Sequence, residues 1–184
     1  MPTDLQILKI DRSFGYIDVD GNGAITRDDL QGLGARLLTG FGASPAGEQG
    51  RRVADTFDIL WNTLAAAADL DGDSRIAPDE YRASVIASFI DGDRFEPVFS
   101  PAIEAVLALA DTDGDGLITP QEFLLVHEAF GRSEQDCEHA FAALDLDGDG
   151  VLSREELLHA ARDYYTSDDP SAIGNLLFGR LPAS

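Results

Sequence analysis

Four twelve-residue segments repeat one arrangement of acids along this chain of 184 residues, and no other feature restricts the fold as tightly. They begin at Asp18, Asp69, Asp111 and Asp145. Each reads Asp-x-Asp-x-Asp or Asn, a small residue, any residue, an aliphatic residue, then an acid four further on. In the third, Asp111, Asp113 and Asp115 occupy positions 1, 3 and 5 and aim their carboxylates at one centre. Gly116 at position 6 takes the left-handed conformation that turns the chain around that centre. The Leu117 carbonyl faces inward at position 7, Thr119 at position 9 holds a water, and Glu122 at position 12 supplies two oxygens. About seven oxygen ligands result, which is what Ca²⁺ takes and more than Mg²⁺ accepts. The fourth segment repeats the set with Asp145, Asp147, Asp149, Gly150, the Val151 carbonyl, Ser153 and Glu156. Ile118 and Leu152 at position 8 are the aliphatic residues through which two such loops pair by a short β-bridge.

Solvated Asp/Gly turns would account for one such cluster. They do not account for an acid at position 12 after an aliphatic position 8, four times over. Carboxylates crowded within a few Å without a cation would also cost on the order of several kcal/mol per site. The segments resemble EF-hand calcium loops, two of them at every diagnostic position. The resemblance implies up to four bound Ca²⁺ ions.

Two loops depart from the pattern. The first has Asp18, Asp20, Asn22 and the Ala24 carbonyl, but Asp29 where Glu is expected. Asp is a methylene shorter, so a monodentate Asp29 leaves about six ligands and lets Mg²⁺ compete at 18–29. Dockerin modules have such loops too, but they pair two similar short repeats, and here the other three loops end in Glu. The second loop keeps Asp69, Asp71, Asp73, the Arg75 carbonyl and Glu80, but has Ser74 at position 6 and Ala77 at position 9. Forcing Ser into the left-handed region costs on the order of 1–2 kcal/mol. Site 69–80 is therefore expected to be the weakest.

Apolar residues at helical spacing flank every loop. Before the loops they are Ile10, Phe14 and Ile17; Trp61, Leu64 and Ala68; Ile103, Leu107 and Ala110; Cys137, Phe141 and Leu144. After them come Leu30, Leu33 and Leu37; Tyr81, Val85 and Phe89; Phe123, Val126 and Phe130; Leu157, Ala161 and Tyr164. Ser100-Pro101 and Thr119-Pro120 read as N-cap plus first helical residue, and Ser133 with Asp136 as a capping box. Thr39 to Gly50 reads as a loop or helix break. Helix-loop-helix units cannot bury their apolar faces alone, so the expected fold is all-α, with the hands paired into two lobes. The boundaries expected are 1–91 for the first pair, 92–165 for the second and 166–184 for a tail, with Asp91-Gly92-Asp93 at the junction.

The tail is apolar at Ile173, Leu176, Leu177, Phe178 and Leu181, a run that would be an aggregation liability if exposed. Together with the long gap between the first two hands and the segment Gly174-Asn175-Leu176-Leu177-Phe178-Gly179, it resembles the sarcoplasmic calcium-binding proteins and their bacterial calerythrin relatives. That resemblance covers essentially the whole chain. It implies a tail packed in the cleft between compact lobes and a role as a calcium buffer. It would also imply a defunct second hand, whereas here that hand keeps its acids.

Composition excludes other classes. The formal charge of −21 repels phosphate backbones and anionic membrane surfaces, so neither nucleic acid nor membrane is an expected partner. With 44% hydrophobic residues the chain is no disordered acidic tail. No apolar run reaches the roughly 18–20 residues of a membrane span. The start Met1-Pro2-Thr3-Asp4-Leu5 has no secretory character, Pro2 stands where myristoylation needs Gly, and the lone Cys137 fits a reducing compartment. A cytoplasmic monomer is the expectation. A calcium sensor exposes a methionine-lined groove on binding. The only methionine here is Met1, and the tail suits such a groove itself, which favours a buffer. The alternative is a sensor whose apolar cleft meets a regulatory target once the tail is displaced. No nucleophile elbow, P-loop or Cys/His metal spacing is present, so no enzyme is expected. His127, His139 and His159 read as isolated surface or part-buried residues, and Cys137 and Trp61 as core.

Overall fold

Side-chain caps start the helices where the sequence places Ser and Thr. Thr3 Oγ1 accepts the Gln6 amide while Gln6 Oε1 accepts the Thr3 amide, a reciprocal pair that opens α1 (Asp4–Ile17). The computed structural model describes residues 1–92 and 95–178, apart from the side chains of 96–99, 101–103 and 105. Among these residues, eight α-helices bracket the four acidic loops in pairs. After α1 come α2 (Arg27–Gly40), α3 (Glu48–Ala68) and α4 (Pro78–Val85). The chain continues as α5 (Phe95–Ala110), α6 (Pro120–Ala129), α7 (Glu134–Leu144) and α8 (Arg154–Thr166). Thr119 caps α6 with Pro120 as its first residue. Ser133 caps α7, donating to Asp136 Oδ2 at 2.7 Å.

Three expectations need adjustment. Ser100 and Pro101 do not start a helix; they lie inside α5, which begins at Phe95. The Phe95 ring is buried edge-on against Phe89, and that contact extends the helix upstream despite the missing amide of Pro101. The Thr39–Gly50 break is shorter than read, since α2 runs to Gly40 and α3 starts at Glu48. Phe89 falls in a widened π turn, Ile86–Ile90, closed by the Asp91 amide on the Ile86 carbonyl. Asp93 and Leu181 lie outside the described residues, as does the side chain of Ile103.

Position 8 joins the loops. Ile25 and Ile76 exchange backbone hydrogen bonds of 3.0 and 2.9 Å, and Ile118 and Leu152 exchange bonds of 2.9 and 2.8 Å. All four side chains are buried. From these bridges one hydrophobic cluster extends through Ile10, Phe14, Leu33 and Trp61 to Phe123, Phe141, Leu144 and Tyr164. Helix α2 packs on α3 and α6, and α1 on α8, so the first pair of hands shares its core with the second. A cavity of about 250 Å³ remains at the centre.

After α8 the chain returns over the core. A 3₁₀ turn (Ile173–Leu176) packs on α8 and α7. Gly174 lies so close to α8 that a β-carbon there would meet the Ala160 carbonyl oxygen at 2.5 Å. Lys9, the only lysine, is fully buried and donates to Ser167 O at 2.7 Å and Asn175 Oδ1 at 3.0 Å. Burial lowers its pKa, with Asp163 and Asp168 opposing that shift. Gln6 adds a bond to Thr166 O, and Tyr164 OH donates to Lys9 O. The first helix and the last segment are thus tied by buried polar contacts. Lys9→Met is expected to leave Asn175 and Ser167 without their donor and to cost about 2 kcal/mol. Thermal unfolding should register this as a fall in Tm of about 4–8 °C; an unchanged Tm would show that the ammonium merely fills space.

Candidate metal centres

Each acidic loop folds around its own carboxylates, and the backbone amides show how. In every loop the position 1 acid accepts amides from the turn. Asp111 takes Gly114 N at 2.6 Å and Gly116 N at 3.0 Å, and Asp145 takes Gly148 N at 2.8 Å and Gly150 N at 3.0 Å. Asp69 takes Gly72 N and Ser74 N, and Asp18 takes Asn22 N and Gly23 N. The amides point inward because the turn residues are left-handed. Gly21, Gly72, Gly114 and Gly148 at position 4 have φ between 68° and 80°. The sequence reading singled out position 6 and missed position 4, although a glycine stands there in all four loops.

At position 6 the second loop differs. Ser74 has φ 65° and is the only non-glycine at positive φ among the described residues. The loop keeps the turn and carries the strain, as its sequence implied.

The position 12 acid ties the loop's start to its exit. Glu122 Oε1 accepts Thr112 N and Oγ1, both at 2.7 Å, while Oε2 accepts Thr119 N at 3.0 Å and Oγ1 at 2.9 Å. Glu156 repeats this with Leu146 N, Ser153 N and Ser153 Oγ. Asp29, despite its shorter side chain, takes Val19 N at 3.0 Å and Thr26 N at 2.8 Å. Glu80 takes Leu70 N and Ala77 N, but Ala77 has no hydroxyl to add. Burial works against ionisation of Glu122, yet its bonds from Thr119 and Thr112 prevail and hold its pKa down to about 2. Glu156 is lowered in the same way, its bonds from Ser153 and Leu146 outweighing burial. These carboxylates are therefore anionic at any physiological pH.

Carboxylate oxygens converge in all four loops. Within 4.8 Å of one another lie single oxygens of Asp18, Asp20 and Asp29; of Asp69, Asp71 and Asp73; of Asp111, Asp113 and Glu122; and of Asp145, Asp147 and Glu156. Asp115 and Asp149 at position 5 are not in those groups; each accepts the position 7 amide, from Leu117 at 2.8 Å and Val151 at 3.0 Å. Asn22 does the same for Ala24 N at 3.1 Å. Glu80 also stands outside its group, which makes the second loop unlike the other three. The Arg75 guanidinium reaches across to within 3.5 Å of Asn22 Oδ1, placing a positive charge between the first two loops. Hard oxygen donors in such clusters suit Ca²⁺.

Comparison with known proteins agrees with this chemistry. Residues 100–162 match the family model described as an EF-hand domain pair, and 10–33 match one described as an EF hand. Calerythrin of Saccharopolyspora erythraea is 28% identical over 167 residues, covering 90% of this chain and 94% of that protein. A Streptomyces coelicolor calcium-binding protein, solved in work on prokaryotic calcium-mediated regulation, is 36% identical. Its match has a TM-score of 0.75 and covers 88% of this chain and 98% of that one. The sarcoplasmic calcium-binding protein of amphioxus shares the fold at 18% identity and a TM-score of 0.75, over 99% of this chain and 100% of its own.

Ser74→Gly removes the strained residue and is expected to tighten calcium binding at 69–80 by about tenfold, the equivalent of about 1.4 kcal/mol. Calorimetric titration measures it, and an unchanged weakest constant would show that position 6 does not limit this loop.

Proposed function

The chain belongs to the EF-hand calcium-binding proteins of the sarcoplasmic calcium-binding protein and calerythrin type, and on that premise we propose that it serves as a cytoplasmic calcium buffer. It binds calcium, through four acidic loops that take up to four Ca²⁺ ions. The ligand set we propose is Asp18, Asp20, Asn22, the Ala24 carbonyl and Asp29 in the first loop, and Asp69, Asp71, Asp73, the Arg75 carbonyl and Glu80 in the second. In the third it is Asp111, Asp113, Asp115, the Leu117 carbonyl and Glu122, and in the fourth Asp145, Asp147, Asp149, the Val151 carbonyl and Glu156. Asp115, Asp149 and Asn22 each have a second side-chain oxygen or a small rotation available for a cation. Glu80 would have to swing inward, which together with Ser74 ranks the second site weakest. Mg²⁺ competes at the first, where Asp29 offers the shorter arm.

The observation that carries the buffer reading is the seating of the tail. Leu177 is buried, the Phe178 ring packs on Tyr16 and Tyr164, and Tyr16 OH donates to Phe178 O at 3.1 Å. A groove that a target helix would need is filled by the chain itself, and the lone methionine, Met1, is fully exposed and away from it. Among the described residues no helix is long and apolar enough to cross a membrane. Family and fold are those of calcium-binding proteins rather than enzymes. In keeping with that, the Cys137 thiol is buried and its pKa is pushed up to about 11 by burial and by nearby Asp136 and Glu128, so it is a poor nucleophile. We place the first pair of hands in 1–91, the second in 92–165 and the tail in 166–184, in a monomer. The sensor reading is favoured by one finding, the regulatory context of the Streptomyces relative.

Titration of an apolar dye separates the two: a buffer shows no marked rise in fluorescence when Ca²⁺ is added to folded protein, and a strong rise would establish a sensor. Glu122→Gln and Glu156→Gln are each expected to remove one Ca²⁺ from the calorimetric stoichiometry, and a retained count would displace position 12 from the ligand set. Asp29→Glu should raise the preference of the first site for Ca²⁺ over Mg²⁺; an unchanged ratio in titrations with and without millimolar Mg²⁺ would mean that Asp29 already coordinates through both oxygens.

A further inference from the structure

An almost wholly apolar cavity between the helices is a feature that calcium binding leaves unused. It measures about 250 Å³, against roughly 150 Å³ for an engineered cavity that stays dry and takes benzene. Protein interiors ordinarily contain few voids larger than a water molecule, so an unfilled space of this size is exceptional. The residues on its wall are buried or part-buried.

The wall is suited to an apolar guest rather than to water. Most of its hydroxyls already have partners in the protein. Ser13 Oγ donates to Ile10 O, Tyr81 OH bonds Ser13, Tyr16 OH donates to Phe178 O, and Ser84 Oγ donates to Ala67 O. Both ring nitrogens of His127 face carbonyl oxygens, of Phe123 at 2.9 Å and of Leu177 at 3.0 Å. A buried water needs two to four free polar partners, and the wall does not offer them. No Asp, Glu, Lys or Arg lines it among the described residues, so a charged guest would be left without a counter-ion. Aliphatic side chains make up most of the wall, and aromatic rings such as Phe57, Phe89, Phe123 and Phe130 are set among them, with edges and faces that favour a planar aromatic partner. The π turn Ile86–Ile90, whose Ser88 and Phe89 stand on the wall, widens the helix at this point.

We propose that this cavity is a binding site for one neutral, planar aromatic small molecule of one or two fused rings. By proportion to the benzene cavity it holds about ten non-hydrogen atoms. The tail closes it: Leu177 and Phe178 form the one side of the wall that comes from outside the hands. The site is distinct from the calcium loops but adjoins them, since Leu30 follows Asp29 and Phe123 follows Glu122, and both are on the wall.

The test uses the full chain loaded with Ca²⁺ and naphthalene as probe. Saturable 1:1 binding is expected by calorimetry, together with a concentration-dependent xenon-129 NMR shift that reports the cavity without any substitution. Val106→Phe and Ala161→Leu place extra carbon in the cavity from α5 and α8 and should each weaken naphthalene binding about tenfold or more, with calcium stoichiometry unchanged. The second variant serves if the first does not fold. Absence of saturable naphthalene binding to the unmodified protein overturns the proposal. So does binding that survives undiminished in a folded filling variant, because the guest would then lie elsewhere.

Discussion

The rest of the molecule depends on how each position 12 carboxylate spans its loop. One oxygen holds the amide at position 2 and the other the amide at position 9, so the start of the loop is fixed to the first turn of the helix that leaves it. That link sets the angle at which the exit helix departs. In the first, third and fourth loops it also brings a negative charge beside the acids at positions 1 and 3, a repulsion that a divalent cation relieves. Glu122 illustrates the balance: burial alone would favour the neutral acid, and its hydrogen bonds keep it anionic and available.

Pairing of the loops follows from the same geometry. With both ends of a loop fixed, its position 8 residue presents an extended backbone that needs a partner, and Ile25 finds Ile76 as Ile118 finds Leu152. The two bridges are buried, so each couples a pair of metal sites through a rigid contact. In the first pair this joins a loop that ends in Asp to a loop that carries the strained Ser74, with Arg75 between them.

Above the loops, helices from the two pairs share one core, and the tail completes it. Lys9, Asn175, Tyr16 and His127 make its seat polar at defined points, while Leu177 and Phe178 make it apolar. Buried polar contacts of this kind fix one arrangement, because any shift of the tail leaves donors or acceptors unpaired. The same packing leaves an apolar cavity that the helices line without filling.

The acid spacing, the glycines and the flanking apolar periods are local patterns, and from them the four loops, their cation chemistry, the helical architecture and the family resemblance were all legible. Strain at Ser74 was legible too, since left-handed geometry at position 6 is a property of the loop itself. Other features were not, because they depend on residues brought together from far along the chain. Lys9 meets Asn175 across 166 residues, and no local pattern distinguishes a buried lysine from a solvated one. His127 reads as an isolated helical residue until Leu177 folds back over it. Phe95, packed against Phe89, moves the start of α5 away from the Ser-Pro signal that local propensity prefers. The distance of Glu80 from its acidic neighbours and the central cavity likewise come from packing. Sequence determined the cation chemistry of each loop, because its acids lie within twelve consecutive residues; tertiary structure alone decided where the tail rests and what cavity it borders, because those contacts exist only once the helices have docked.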